Sequence, residues 1–495
     1  MMVLLAASPI VVVLLAMGIL RRGAAAAGAA GLAVALALAF TAFDFTASTG
    51  GAVTRSQAAA GAVAEAFHGA AVILWIIFPA LAIYELQRRT GALDRIRSML
   101  AQVSGDFLVQ VLLIAWFFGL FMEGTAGFGT PVALAAPILV GIGVRPVQAV
   151  ALVLICHAAG VSFGAVGTPV YAQTEITGID AAAIGAATAP LNALLGIILM
   201  IVAARLIGAG LTLRTATVTC FAVACFYIPY LLLALFAGPE LPTLGGALIG
   251  GTVFAAVMRP RNSPRTAFSI SRMRDFAPYA VILCLVLVTR LISPIADLLT
   301  GIALEWTLHG VFEGSIQTLY HPGTILMIGL LLGAFLAGSF REIPAAMHAS
   351  AQRLALVAIA LLVMLLLSRV MVHAGMISAL ADAATQTGSL WPLLAPAVGV
   401  LGTFVTGSAT ASNILFSELQ LRTAGALSLP QTLMLGGQGV GAAAGNMIAP
   451  HNIIAGAATV NLKGEEGNIL ARTITVCVVY TAAAGAALWV LTLLG

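Results

Sequence analysis

Residues 121–132 read Phe121-Met122-Glu123-Gly124-Thr125-Ala126-Gly127-Phe128-Gly129-Thr130-Pro131-Val132, and residues 404–413 read Phe404-Val405-Thr406-Gly407-Ser408-Ala409-Thr410-Ala411-Ser412-Asn413. Each stretch closes an apolar run at membrane depth, yet each is dense in glycine and hydroxyl side chains that a plain spanning helix has no use for. Aligning Phe121 on Phe404 sets Glu123-Gly124-Thr125-Ala126 over Thr406-Gly407-Ser408-Ala409. A proline-bearing turn follows in both (Pro146, Pro430), then a Gly-rich helix that ends in proline, at 164–169 and at 441–450. Glu123 stands 46 residues before Pro169, and Thr406 stands 44 before Pro450. The chain therefore reads as an internal repeat.

Composition fixes the solvent. Apolar residues make up 61% of the 495 and charged residues 8%, with mean hydropathy +1.09. A soluble domain carries roughly 25% charge. The 22 Lys+Arg and 18 Asp+Glu suffice only for the two ends of a bundle whose sides face lipid. A β-barrel is disfavoured, because the apolar runs are continuous and do not alternate. The expected fold is an all-α integral membrane bundle of about 12–16 spanning segments, at about 20 residues per span, with two inverted-topology repeats and paired broken or re-entrant segments. The net charge of +4 does not point to nucleic acid, since the basic residues sit in loops between apolar runs. The five cysteines fall inside apolar stretches without paired spacing and read as small core side chains. No basic residue precedes the first apolar run and Arg21-Arg22 follow it, the pattern of a first helix with its N-terminus outside.

Apolar runs predict helices near 3–20, 24–43, 58–84, 107–122, 146–166, 183–207, 218–236, 244–258, 277–292, 325–340, 354–371, 392–405, 431–448 and 473–493. Arginine clusters at 21–22, 88–97, 205–214 and 259–274, with smaller basic loops at 341–353 and 463–472, all fit on the cytoplasmic side. The stretches 44–51, 293–322 and 373–390 then lie outside. The basic loop at 88–97 precedes the first broken stretch, and the Lys/Arg-free loop at 373–390 precedes the second, so the two copies enter the membrane from opposite faces. The expected organisation is scaffold helices in 1–106, a first core in 107–216 with its break at 123–137, connecting helices in 217–353, and an inverted second core in 354–495 with its break at 406–413.

Paired Gly/Pro-interrupted segments in inverted halves are the sequence mark of a carrier's midplane site. Unpaired backbone survives in hydrocarbon only where it lines a cavity or is buried in protein. Gly124, Gly127 and Gly129 permit a break, and Pro131 suits the first turn of a restarted helix. That helix points about half a positive charge into the cavity. Two such N-termini ringed by hydroxyls and amides suit a small anion, above all a carboxylate carrying a hydroxyl. The candidate substrate-binding residues are Gly127, Phe128, Gly129 and Thr130 from one copy, and Thr406, Gly407, Ser408, Thr410, Ser412 and Asn413 from the other. The competing explanation is close helix packing through small residues, which one copy alone satisfies as well. The matched inverted pair favours a site.

Ionisable groups at membrane depth are functional candidates by default. Glu123 opens the first break and His157 sits in Cys156-His157-Ala158-Ala159-Gly160; both are candidates for carrying a proton, against plain helix-end and packing roles. Glu65, His68, Arg290 and Arg369 are explained by interfacial anchoring, and Glu418 with Arg422, four apart, by pairing. His451 and Asn452 follow Pro450 at an expected break and are placed to border the same cavity. Hydrolase elbows, His-Glu-x-x-His, a Walker loop and a nucleotide-driven domain are all absent from the sequence.

These motifs resemble the lactate permease family of bacterial lactate and glycolate carriers. The resemblance rests on residues 123–133, on Gly164-Ala165-Val166-Gly167-Thr168-Pro169, on residues 402–413 and on the Gly-rich segment before Ile448-Ala449-Pro450, and covers most of the chain. Ala409 stands where that family often has Asp or Asn, and His157 where Asn is expected. The resemblance implies a multi-pass protein of the bacterial plasma membrane that takes up a 2-hydroxymonocarboxylate with a proton. It implies no cofactor or metal beyond the coupling ion, H+. The partners it implies are a small carboxylate and the lipid bilayer. Oligomeric state stays open, with a homodimer admissible. Co-transport of one proton makes anion uptake electroneutral, against an opposing potential of about 2.3 kcal/mol per charge per 100 mV. The alternatives are a sodium-coupled carboxylate carrier, because Thr406 to Asn413 could also supply sodium ligands, and a passive anion channel.

Overall fold

A computed structural model describes residues 1–101, 103–127, 129–208, 210, 212–260, 274–462 and 464–494. Apolar helices dominate it. Among the described residues, eight are long and apolar enough to cross a membrane, ten if each of two sharply bent pairs is one span, and four shorter apolar helices accompany them. The protein is an all-α multi-pass membrane protein with paired broken segments.

Two long helices set the plan. Arg55–Arg89 and Ile343–His373 pack antiparallel along their lengths. Glu65 meets Arg369 and His373 at one end, and near the other end Ser350 Oγ donates to the Phe78 carbonyl and Glu85 meets Arg353. Whatever follows one helix therefore starts at the opposite face from whatever follows the other. The element order repeats accordingly. Met2–Gly18, Ala24–Thr41 and Arg55–Arg89 in the first half match Ala277–Leu291, Pro322–Ala337 and Ile343–His373 in the second. The core that follows has four broken or restarted helices in each half, ending in the long Ala181–Leu206 and Glu466–Leu494. Leu213–Phe236 and Pro242–Met258 lie between the halves. Helix Ile343–His373 packs on Ala24–Thr41 and Arg55–Arg89, so it stands with the scaffold.

Charge marks the two ends. Glu85 binds Arg88 and Arg353, Arg89 binds Glu342, Arg95 binds Asp275, and Arg214 binds Asp106, so the arginine-rich loops share one end. The positive-inside tendency assigns that end to the cytoplasm. At the other end Ser48 and Glu65 hydrogen-bond His373. Phe312 stacks edge-on to the same ring at 5.3 Å.

Two expectations need correction. The run 146–166 is not one helix: Pro146–His157 ends at His157, and the chain bends by 61° into Val161–Thr177. Pro169 accordingly lies inside helix Gly164–Thr177, not at the end of a Gly-rich helix. The stretch 293–322, expected only to lie outside, has structure of its own: a short helix, Ser293–Thr300, and an antiparallel hairpin of Ala303–Leu308 with Phe312–Gln317. The hairpin seats Phe312 where any side chain at Gly61 would clash, 2.4 Å from the ring.

Candidate functional site

The first break begins where Gly119–Thr125 ends. Gly127 adopts φ +55° and Gly129 φ +80°, both in the left-handed region that favours glycine. Thr130 closes the turn, its N–H and hydroxyl both donating to the Gly127 carbonyl at 3.0 and 2.8 Å. Helix Thr130–Gly141 then restarts with Pro131 in its first turn. The second break uses the same logic. Trp391–Thr406 ends at left-handed Gly407 (φ +71°), and Ser408 caps Ala409–Ala426, its Oγ accepting from the Ala411 N–H at 3.3 Å.

Two further breaks face these. Residues 165–167 all take left-handed backbone (Ala165 φ 43°, Val166 φ 57°, Gly167 φ 78°) before the helix resumes. Such geometry costs about 1–2 kcal/mol at a non-glycine residue. It persists because the surroundings dictate it, a situation concentrated at functional sites. In the second half Gln431–Asn446 ends, and Pro450–Thr459 restarts with Pro450 at its N-terminus.

All four breaks border one cavity of about 480 Å³. Glu123, Gly127 and Gly129 come from the first break, and Thr406, Gly407, Ser408 and Thr410 from the second. Ala165 comes from the third, and Asn446, His451 and Asn452 from the fourth. The scaffold closes it with apolar groups, among them Ala24, Ile77, Leu361 and Met364. Among the described residues its lining holds neither Lys nor Arg. Attraction for an anion must come from helix N-termini, hydroxyls and amides.

Within this wall Glu123 Oε2 lies 3.1 Å from His157 Nδ1, with Glu123 4% and His157 0% exposed. Nε2 of His157 is buried without a hydrogen-bond partner. The pair can hold one proton between carboxylate and ring, or move it to the free side of the ring. Two glycines make room for it. A Cβ at Gly164 would sit 2.2 Å from Glu123 Oε1, and one at Gly127 3.3 Å away. Contacts also cross between the repeats. A Cβ at Gly129 would meet Asn452 Oδ1 at 3.1 Å. Asn452 Nδ2 donates to Asn446 while Oδ1 has no partner. His451 packs so closely on Gly407 that a Cβ there would lie 2.1 Å from Nδ1.

Not every expected residue reaches the cavity. Thr130 is spent on its turn, and His157 sits behind Glu123. Ser412 donates to the Gly399 carbonyl at 2.9 Å, and Asn413 Nδ2 to the Pro169 carbonyl at 3.0 Å. Both are fully buried, and the cavity does not include them. Phe128 lies outside the described residues. The sequence reading passed over Asn446 and the apolar scaffold wall. Asn446 ends the helix that leads into the fourth break, where an amide beside a glycine-rich run was the available signal; nothing in an apolar helix face announces that it closes a site.

A multi-pass protein whose inverted halves bring broken helices to one shared cavity is, as a class, a membrane carrier. The chain belongs to the L-lactate permease family, which it matches over residues 2–308 and 283–494; it is a permease and not an enzyme. It is 29% identical over 444 residues to an L-lactate permease of Streptococcus iniae, covering 86% of this chain and 91% of that one. It is 28% identical over 538 residues to the glycolate permease of Escherichia coli (strain K12), covering 97% and 94%. A solved chain, the antimetabolite efflux pump MtrF of Neisseria gonorrhoeae, shares 14% identity over 85% of this chain and 81% of that one, with a TM-score of 0.49.

Removing the Ser408 hydroxyl tests the second break directly. Ser408→Ala is expected to cost about 1 kcal/mol at the helix start and to raise the KM for lactate several-fold while the protein still folds. Thr406→Val should act in the same direction. Uptake kinetics alongside a thermal melt would separate the two effects.

Proposed function

We propose that the protein is a secondary carrier that takes up lactate, and glycolate or similar 2-hydroxymonocarboxylates, across the bacterial plasma membrane by proton symport. The observation that carries this reading is the Glu123–His157 hydrogen bond in the wall of a cavity to which both inverted breaks contribute. The substrate carboxylate lies against the N-termini at Gly129, Ser408 and Pro450, where backbone dipoles favour negative charge. Its hydroxyl pairs with Ser408, Thr410 or Asn452. The proton travels on the Glu123–His157 pair, so that anion and proton cross as a neutral load. The relatives named as lactate and glycolate permeases support the substrate class.

The test is reconstitution into liposomes under imposed gradients. An inward proton gradient should concentrate labelled L-lactate, and an uncoupler should collapse the gain. Accumulation driven by a sodium gradient at equal pH would transfer the coupling to sodium. Uptake without saturation or countertransport would make the protein a channel.

A further inference from the structure

A second cavity, of about 360 Å³, lies on the hairpin side of the central one. Its wall includes Tyr171 and Glu175 of helix Gly164–Thr177, Glu240, Arg290 and His321. Only a thin partition divides the two. Pro169 borders the central cavity and Tyr171 the outer; Ile77 and Val72 divide in the same way along helix Arg55–Arg89. The left-handed turn at 165–167 is part of the partition, since a Cβ at Gly167 would lie 2.5 Å from the carbonyl of Pro239, itself an outer-cavity residue.

The outer wall is chemically built. Arg290 and Glu240 form an ion pair with side chains only 8% and 1% exposed. Tyr171 Oη donates to Glu240 Oε1 at 2.7 Å, Arg290 donates to the Tyr320 carbonyl at 3.1 Å, and the guanidinium lies 3.6 Å from the centre of the Tyr320 ring. Yet among the described residues Arg290 Nη1, Glu240 Oε2, His321 Nε2 and Thr174 Oγ1 are buried without hydrogen-bond partners. His321 Nδ1 accepts the Gly323 N–H at 3.1 Å, so the neutral ring carries its hydrogen on Nε2. Burial lowers His321 to about 4, so the ring is neutral at ordinary pH. An unmet buried polar group costs about 1–3 kcal/mol. Four in one wall, two of them donors, one an acceptor and one a hydroxyl, describe the complement of a small ligand.

We propose that this outer cavity is a loading site for a 2-hydroxymonocarboxylate, which places its carboxylate on Arg290 and His321 and its hydroxyl on Glu240. The inference rests on the carrier reading above. Arg290 supplies the fixed positive charge that the described lining of the central cavity lacks. The remaining carboxylates of the wall, Glu175 and Asp180, weaken the hold on an anion, which suits a site that must pass its ligand inward.

The test compares the two faces. L-lactate uptake is measured in right-side-out and inside-out vesicles for the wild type, the double variant Arg290→Met/Glu240→Met, Glu240→Gln and Ser408→Ala. Exchanging both partners of a buried pair for apolar side chains is often tolerated, and Glu240→Gln keeps an acceptor for Arg290 if the double variant fails to fold. The expected result is an external KM raised about tenfold or more in the double variant, with the internal KM unchanged; Ser408→Ala raises both. Glu240→Gln should shrink the preference for lactate over propionate, which lacks the hydroxyl, on the external face only. Equal shifts on both faces, or none, would mean that the cavity holds only water, and would overturn the proposal. If the wild type moved neither lactate nor glycolate, the carrier reading would fall instead. Binding of labelled L-lactate to the solubilised protein, and its loss in the double variant, would then decide the outer site alone.

Discussion

Glu123→Gln should abolish proton-driven accumulation of lactate while leaving exchange of labelled for unlabelled lactate close to normal. The amide keeps the size of the side chain and can still hydrogen-bond His157 Nδ1, 3.1 Å away in the native protein. It can no longer take up and release a proton. Exchange needs the substrate site to cycle between faces while loaded, whereas net uptake also needs the coupling group to return empty. Loss of uptake by about a hundredfold or more, equivalent to roughly 2.7 kcal/mol, with exchange retained, would mark Glu123 as the proton carrier. Normal net uptake would remove it from that role. Loss of both would point to a positioning task, and His157→Gln would then be expected to match it.

Gly407→Ala is the second variant with a large expected effect. Gly407 stands at φ +71°, and a Cβ would lie 2.1 Å from His451 Nδ1 and 2.2 Å from Cε1. Left-handed backbone costs an alanine about 1–2 kcal/mol, and the added methyl displaces the His451 ring. The ring, at the exposed start of Pro450–Thr459, has to turn aside, which reshapes the cavity wall that His451 helps to form. Uptake should drop by at least tenfold, with a lowered melting temperature. Gly402→Ala meets Ser412 Oγ at 2.3 Å but borders no cavity, so it should cost stability and leave the KM unchanged. Equal kinetics for both variants would deny Gly407 its place in the site.

The breaks were legible because backbone geometry leaves a compositional trace. Gly127, Gly129 and Gly407 occupy left-handed conformations that glycine adopts without steric cost, and Pro131 and Pro450 open helices where proline fits. Inversion was legible from the arginine loops. The turn at 165–167 was not, because Ala165 and Val166 normally avoid the conformation they adopt and tertiary packing overrides their preference. Helical periodicity, not polarity, misplaced Ser412: at 100° per residue it turns to the face opposite Thr410, toward Gly399. The hairpin at 303–317 went unread because a segment without arginine registers only as external, although Ala303-Leu304-Glu305-Trp306-Thr307-Leu308 ends at a His309-Gly310 turn.

The hydrogen bonds that join the two cores have a consequence for motion. Ser162 binds the Gly439 carbonyl, Gln173 the Leu435 carbonyl and Asn413 the Pro169 carbonyl, so each half is stitched to the other through buried groups. Halves fastened in this way are expected to move together, and Arg369, which donates to the Glu175 and Ile176 carbonyls, ties that body to the long scaffold pair by a contact that any sliding between them has to break. Val132 and Gly456 face each other across the stitched body, with Cβ atoms 3.6 Å apart once Gly456 is given one; Gly69 and Glu175 face each other across the sliding surface at 3.8 Å. Both spacings suit a disulfide. Cysteines at the first pair should crosslink without slowing transport, and cysteines at the second should halt it until reduced.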